Sequence, residues 1–320
     1  MERVLFITST RIGDAIINSG VLAHLIETRP EARFTIACGP LAASLFREVP
    51  RLERIIEMRK KPMGRHWIDL WRETVGTSWD LVVDLRCSAT AWMLRASERR
   101  ILRQSSTPIA KVIEAASVLE LQDTPPAPRL WLSEAHRAEA VSRLPDLPTG
   151  EQYLAICPSA SWIFKVWPAE KFAEFILRFT GPDGEMPHAT VVMLGGPGDE
   201  MYAQPIRDAL PEVDFVDLLG LGLPETAACL ERTRLYVGND SGLMHMSAAA
   251  GVPTLGLFGP SDDRCYGPWG AHCDLVRGPA SFEEIDAAHD DRRKASQSLL
   301  ADLSVDTVYD AAKRLYERTA

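Results

Sequence analysis

The chain has 320 residues, 46% of them hydrophobic and 25% charged; that composition is globular and excludes a disordered tail, a collagen or a coiled coil. At about 150 residues per domain there is room for two domains, each large enough to bury a core without disulfides. The net charge of −9 divides into +3 over residues 1–150 and −12 over residues 151–320, which fits two halves with different partners and argues against general nucleic-acid binding, since that needs a basic field.

No apolar run approaches the length of a membrane span. The short run at residues 4–7 is too brief for a signal-peptide core and reads as a first buried strand. Ile16, Ile17, Val21, Leu22 and Leu25 then recur at helical spacing between residues 14 and 27. Strands are expected at residues 34–38, 55–57 and 81–85, and a further one at 100–102. Helical segments fall at 41–46, 67–75 and 89–94. Short apolar strands alternating with amphipathic helices imply a parallel sheet covered on both faces. Proline-rich punctuation at residues 123–128 and 145–150 flanks a polar helix at 133–143. The domain boundary is placed near residue 150. The alternation restarts with strands at 153–157, 190–194, 215–216, 235–237 and 254–258. Helices are expected from Pro168 onward and at 199–210, 223–232 and 242–250. A last helix, 305–318, stands apart. The pattern is two Rossmann-like α/β units in tandem. The six cysteines, Cys38, Cys87, Cys157, Cys229, Cys265 and Cys273, form no C-x-x-C pair and read as free thiols in a reducing compartment.

In such sheets ligands sit outside the carboxyl ends of the strands, so the loops there carry the chemistry. After the first strand come Arg11, Gly13 and Asp14. Asp14 reads either as a helix N-cap or as a general base able to take a proton from an attacking hydroxyl. After residue 157 come Ser159, Ser161 and Lys165; the lysine precedes a helix start and is either solvated or a phosphate contact. After residue 194 the run Gly195-Gly-Pro-Gly-Asp199-Glu200 reads as an acidic helix start or as a ribose contact. Its proline and spacing spoil a dinucleotide fingerprint, and no P-loop occurs. After residue 237 come Asn239, Asp240, Ser241, Gly242 and, one turn inside the helix, His245. Several backbone N–H groups together at a helix entrance suit a diphosphate; His245 on its own would read as a core histidine. Asp262-Asp263 and Asp290-Asp291 read as solvated loop acids. No Asp-x-Asp is present, so a metal clamp has no evident ligands. Arg59, Lys60, Lys61 and Arg65, and then Arg95, Arg99, Arg100 and Arg103, form basic clusters that are either solvated surface or an anion-recognising face.

Three blocks, Arg11-Ile-Gly-Asp14-Ala-Ile, Lys165-Val-Trp-Pro168, and Asp240-Ser-Gly-Leu-Met-His245 followed by Leu257-Phe-Gly-Pro-Ser-Asp262, resemble the glycosyltransferase family 9 heptosyltransferases of lipopolysaccharide synthesis. The resemblance implies an α/β fold of GT-B type, two Rossmann-like domains whose parallel sheets face across a cleft. Residues 1–150 would bind the acceptor and 151–320 the nucleotide sugar, with the last helix packing back on the first domain. It implies an inverting, metal-independent transfer of a heptose from a nucleotide sugar, typically ADP-heptose, to a lipopolysaccharide inner core, without a cofactor. Asp14 would be the base. Ser159, Ser161, Lys165, Glu200 (or Asp199), Asp240, Ser241, Gly242 and His245 would hold the donor. Arg11, Arg59, Lys60, Lys61, Arg95, Arg99 and Arg100 would meet the acceptor. The protein would be cytoplasmic and peripheral to the inner membrane, with no nucleic-acid or protein partner. A nucleotide-sugar 2-epimerase and a non-enzymatic nucleotide-sugar binder are the alternative readings.

Overall fold

In a computed structural model, which describes residues 2–288 and 297–320, the chain folds as two compact units dividing between Ser133 and Glu134.

The first unit runs β1 (Glu2–Ile7), α1 (Ile12–Thr28), β2 (Ala32–Cys38), β3 (Leu52–Glu57), α2 (Arg65–Thr74), β4 (Ser78–Asp84), β5 (Arg95–Ile101) and α3 (Lys111–Ala116). The strands form one sheet in the order β3-β2-β1-β4-β5, every pair parallel. Side chains alternate across a strand. Val4 and Phe6 therefore join a core under α1 and α3, with Val21, Leu22, Leu25 and Ala115. Leu5 and Ile7 join a second core with Leu70 of α2, Trp79 and Leu94. Both faces are covered, which is why β1 reads as an unbroken apolar run.

The second unit runs α4 (Glu134–Arg143), β6 (Tyr153–Cys157), α5 (Ala169–Thr180), β7 (Thr190–Met193), α6 (Glu200–Ala209), β8 (Phe215–Asp217), α7 (Leu223–Leu230), β9 (Leu235–Asn239), α8 (Gly242–Ala249), β10 (Thr254–Phe258), α9 (Asp263–Tyr266), β11 (Cys273–Arg277), α10 (Phe282–Ala288) and α11 (Val305–Arg318). Its sheet is also parallel throughout, ordered β11-β10-β9-β6-β7-β8. Leu154 and Ile156 pack with Phe172, Phe175 and Phe179 of α5, Ile206 of α6 and Val308, Ala312 and Leu315 of α11. Burying each of the leucine, isoleucine, valine and phenylalanine side chains among these contributes about 1.5–3 kcal/mol.

Two expectations about domain organisation meet a different arrangement. The polar helix α4 packs on α7, with Arg137 Nε 3.0 Å from Glu231 and Arg232 Nε donating to the Leu144 carbonyl at 2.6 Å. The units thus divide before this helix and not near residue 150. The last helix does not leave the second unit: α11 packs on α5, β10 and β11, and the indole of the buried Trp167 donates to the Leu303 carbonyl just ahead of it at 3.0 Å. Its apolar stripe completes a core that the strands and α5 leave open.

Smaller differences have local causes. Residues 89–93 and 43–46 form single 3-10 turns. The strand expected at 100–102 is β5, which begins at Arg95; its sequence RASERRI lacks an apolar run because it lies at a sheet edge, paired only with β4. The edge strand β11 and the short helices α3, α9 and α10 were not legible. All six cysteines are free, with Cys38, Cys157 and Cys229 buried. Among the described residues no helix is long and apolar enough to cross a membrane. The pair Asp290-Asp291 lies outside the described residues.

Candidate active site

The carboxyl edge of the second sheet gathers most of the residues expected to hold the donor. Strand β9 ends at Asn239, whose buried amide accepts from the Trp167 backbone N–H at 3.0 Å and donates to the Pro158 carbonyl at 2.8 Å. This one side chain ties the loop after β6 to the end of β9. Asp240 follows, 8% exposed. Its Oδ2 accepts from Lys165 Nζ at 2.5 Å and from Ser261 Oγ at 2.5 Å. Burial pushes the carboxyl up, but the charge of Lys165 opposes this, with His245 and the Ser261 hydroxyl, and their sum holds Asp240 below the usual carboxylate value. Asp240 is therefore an anion that keeps Lys165 at the head of α8. Ser241 occupies the N-cap position of α8 without a side-chain capping bond, so the first-turn N–H groups remain available to an anion. His245 is buried one turn further in. Gly238 admits no side chain, because a Cβ there would lie 2.7 Å from the Tyr236 hydroxyl.

The next loop is tied in by Asp199. Its Oδ2 accepts from Ser159 Oγ at 2.5 Å and from the Gly196 N–H at 2.7 Å, so both Ser159 and Asp199 are engaged in loop structure. Glu200, at the start of α6, is exposed and pairs with Arg207. Ser161 is exposed. Asp262 and Asp263 are not free loop acids. Asp262 caps α9 by accepting from the Arg264 N–H and pairs with its guanidinium at 2.9 Å, which depresses its carboxyl, while Asp263 pairs with Arg277.

The carboxyl edge of the first sheet holds Asp14. It is the third residue of α1, not its N-cap; that position is Arg11, which makes no side-chain cap. Asp14 Oδ2 accepts from Ser9 Oγ at 3.2 Å. The same Ser9 oxygen accepts from the Arg11 N–H at 3.2 Å and from Arg86 Nη1 at 3.1 Å. A hydroxyl has one proton and two lone pairs, so both lone pairs are occupied and the proton is directed at Asp14. The loop that supplies Arg86 follows β4 and is clamped by Asp84, which is fully buried. Asp84 accepts from the Arg86 N–H at 2.8 Å, the Ser88 N–H at 2.7 Å and Ser88 Oγ at 2.6 Å. Burial pushes this carboxyl up, and the Ser88 and Arg86 hydrogen bonds oppose that. Between them Cys87 is held at φ 52°, a left-handed conformation costing a non-glycine residue on the order of 1 kcal/mol.

The basic residues divide. Arg59, Lys60 and Lys61 follow β3 and are exposed, with Arg59 pairing Glu57 at 3.3 Å and Lys61 pairing Asp69 at 2.8 Å. Arg95, Arg99 and Arg100 do not gather at Asp14. Arg95 opens β5 opposite Ser78, at the amino edge of the sheet. The Arg99 guanidinium donates to the carbonyls of Ala91, Ala96 and Leu94. Arg100 pairs with Glu98 and Glu120 at 2.7 Å each. Arg99 and Arg100 are thus engaged by groups on and around β5.

Sequence reasoning missed Ser9, Asp84 and Arg86, and gave Asn239 and Ser261 no role of their own. For Arg86 the signal was present: Leu-Val-Val-Asp-Leu-Arg puts an arginine just past a strand end, where ligands sit. Among the described residues no three His, Cys, Asp or Glu side chains converge to hold a metal.

The family model "Glycosyltransferase family 9 (heptosyltransferase)" matches residues 88–292, more than half of the chain. The chain belongs to glycosyltransferase family 9. It is 22% identical over 323 residues to lipopolysaccharide heptosyltransferase 3 of Escherichia coli K12, covering 90% of this chain and 91% of that protein. A second E. coli lipopolysaccharide heptosyltransferase 3 is 31% identical over 123 residues, 38% of this chain and only about a third (35%) of that protein's length. Among solved structures, the family 9 glycosyl transferase of Veillonella parvula superposes with a TM-score of 0.82 at 23% identity, covering 99% of this chain and 98% of that one. E. coli heptosyltransferase WaaC with ADP superposes with a TM-score of 0.69 at 17% identity, covering 99% of this chain and all (100%) of that one. The family 9 chain is thus a heptosyltransferase-like enzyme with the two parallel α/β sheets of the GT-B fold.

Proposed function

We propose that this family 9 enzyme transfers a heptose, or a related sugar, from an ADP-sugar to a lipopolysaccharide inner-core acceptor, with inversion and without a metal. The observation that carries this reading is the cluster at the head of α8, where Lys165, Asp240 and Ser261 meet uncapped helix N–H groups. A diphosphate brings negative charge, and a lysine beside a helix N-terminus is the simplest protein counterpart to it. Two of the relatives named above are lipopolysaccharide heptosyltransferases, and a third protein, the heptosyltransferase WaaC, is solved with ADP.

In this mechanism the acceptor hydroxyl gives its proton to Asp14 as its oxygen attacks the anomeric carbon. The bond from that carbon to the diphosphate oxygen breaks on the opposite face, and the electron pair leaves with ADP. Lys165 and the α8 N–H groups take up the charge that develops on the diphosphate. Ser241, Gly242 and His245 complete the diphosphate contact. Ser159 and Ser161 line the same loop, and Glu200 reaches the ribose hydroxyls. Arg11, with Arg59, Lys60 and Lys61, meets the anionic acceptor. The exposed Met63 beside those lysines (94%) favours peripheral contact with an anionic leaflet, the cytoplasmic face of the inner membrane.

The test is a thermal-shift panel of ADP, UDP, GDP and CDP, since a ligand that binds only the native state raises its stability, followed by transfer from ADP-heptose to a deacylated inner-core oligosaccharide. Stabilisation by ADP alone and an inverted anomeric linkage are expected. Absence of an ADP shift would overturn the donor assignment, and sugar turnover without an acceptor would mark an epimerase.

A further inference from the structure

We propose that Arg86, together with Arg11, forms an anion subsite that selects acceptors carrying a carboxylate or phosphate beside the hydroxyl to be glycosylated. The inference rests on the transferase reading of Asp14. Three observations support it. First, the Arg86 guanidinium is one hydroxyl away from the base: Nη1 donates to Ser9 Oγ at 3.1 Å, and Ser9 Oγ donates to Asp14 Oδ2 at 3.2 Å. A group bound by the remaining guanidinium N–H donors therefore lies next to whatever Asp14 deprotonates.

Second, the guanidinium is not spent in a direct ion pair. Arg86 and Arg11 are both exposed, and neither forms an ion pair with another described residue within 4.0 Å. The contrast with Arg99 and Arg100 is direct, because those guanidinium groups are spent on three carbonyls and two carboxylates. Guanidinium is the side chain best shaped for a planar carboxylate or a phosphate.

Third, the loop is built to hold Arg86 there. Asp84 clamps the N–H groups of Arg86 and Ser88 from below, and Cys87 is kept left-handed between them. Strain of this kind persists only where surrounding bonds over-determine it. A purely solvated arginine would need no such clamp.

The experiment compares wild type, Arg86→Gln and Arg86→Lys. Three acceptors are used: a deacylated inner-core oligosaccharide, its carboxyl-reduced form and its dephosphorylated form. Each is tested by transfer kinetics and by calorimetric binding without donor. Arg86→Gln should raise the acceptor KM and dissociation constant by about 10-fold or more, on the scale of a charge-assisted hydrogen bond, with kcat changed less than threefold. Arg86→Lys should recover part of the loss. Removing the recognised anion should weaken wild type by the same factor and leave Arg86→Gln unaffected. Whichever of the reduced or dephosphorylated acceptors shows that pattern identifies the anion. An unchanged ADP thermal shift establishes that the variants are folded. A fall in kcat at constant acceptor affinity, or equal losses for wild type and Arg86→Gln with every acceptor, overturns the proposal. Calorimetric binding reads Arg86 even if no sugar is transferred, whereas failure of the transferase reading appears as wild-type turnover unchanged by Asp14→Asn.

Discussion

The two units carry the same architecture and expose the same edge of it, yet they prepare that edge differently. In the second unit the polar groups answer one another before any ligand arrives: Lys165 and Ser261 meet Asp240, and Ser159 meets Asp199. In the first unit Asp14 is held by a single serine hydroxyl, flanked by the exposed Arg11 and Arg86, which make no direct ion pair among the described residues. The difference follows from burial. Lys165 and Asp240 are largely out of water, with side chains 25% and 9% exposed, so each would be costly without the other. Asp14 and Arg86 remain solvated enough to stand apart. On the proposed reading, a diphosphate cradle can be assembled in advance, whereas a base has to keep an open lone pair for its substrate.

Each side of this contrast is testable. The largest effect should come from Asp14→Asn, which removes the open lone pair of the base. It should lower kcat by about 10²–10⁴, the usual worth of a general base, while ADP affinity measured by calorimetry stays within twofold. Turnover at the wild-type rate would end the assignment.

Lys165→Ala should come next, because it strands the buried Asp240 charge. A loss of about 3 kcal/mol in unfolding free energy is expected, the lower end for one partner of a buried pair, together with weakened ADP binding. The pH dependence has a definite sign. Asp240 is depressed in the folded protein, so its contribution is present above its unfolded value and is lost as pH falls through the folded one. In Lys165→Ala that acid loss should shrink or vanish, because burial now pushes Asp240 up and protonation relieves the stranded charge; the stability gap to wild type should narrow as pH falls, as a denaturant series across acidic pH would show.

Arg99→Ala separates a structural cation from a substrate-facing one. Losing its bonds to backbone carbonyls should cost about 1–2 kcal/mol of stability and leave the acceptor KM unaltered. A raised acceptor KM with unchanged stability would return Arg99 to the binding face. The smallest effect should be that of Ser9→Ala, which removes the bond orienting Asp14. About 1 kcal/mol corresponds to roughly fivefold in kcat, with little change in acceptor KM. That split would distinguish positioning by Ser9 from recognition by Arg86.

Much of this was legible in the amino-acid sequence. Short unbroken apolar runs and helical apolar spacing marked most of the inner strands and the long helices, because burial on both sheet faces leaves the strands without polar alternation. The residues of the proposed diphosphate edge were legible too. Asp240, Ser241, Gly242 and His245 lie within six consecutive positions, and a short segment of chain fixes their spacing as it leaves a strand for a helix. What tertiary structure alone decided was partnership between distant segments. Arg86 reaches a serine 77 positions earlier in the chain, and Ser261 reaches an aspartate 21 positions earlier. Whether Arg99 met an acceptor or the carbonyls around β5 turned on which groups packing had left unsatisfied. The same holds for α4 and α11: the sequence marked a polar helix and a last helix standing apart, but not the neighbours on which each packs. A side-chain pattern specifies what an element must bury; only the folded chain settles which neighbour receives it.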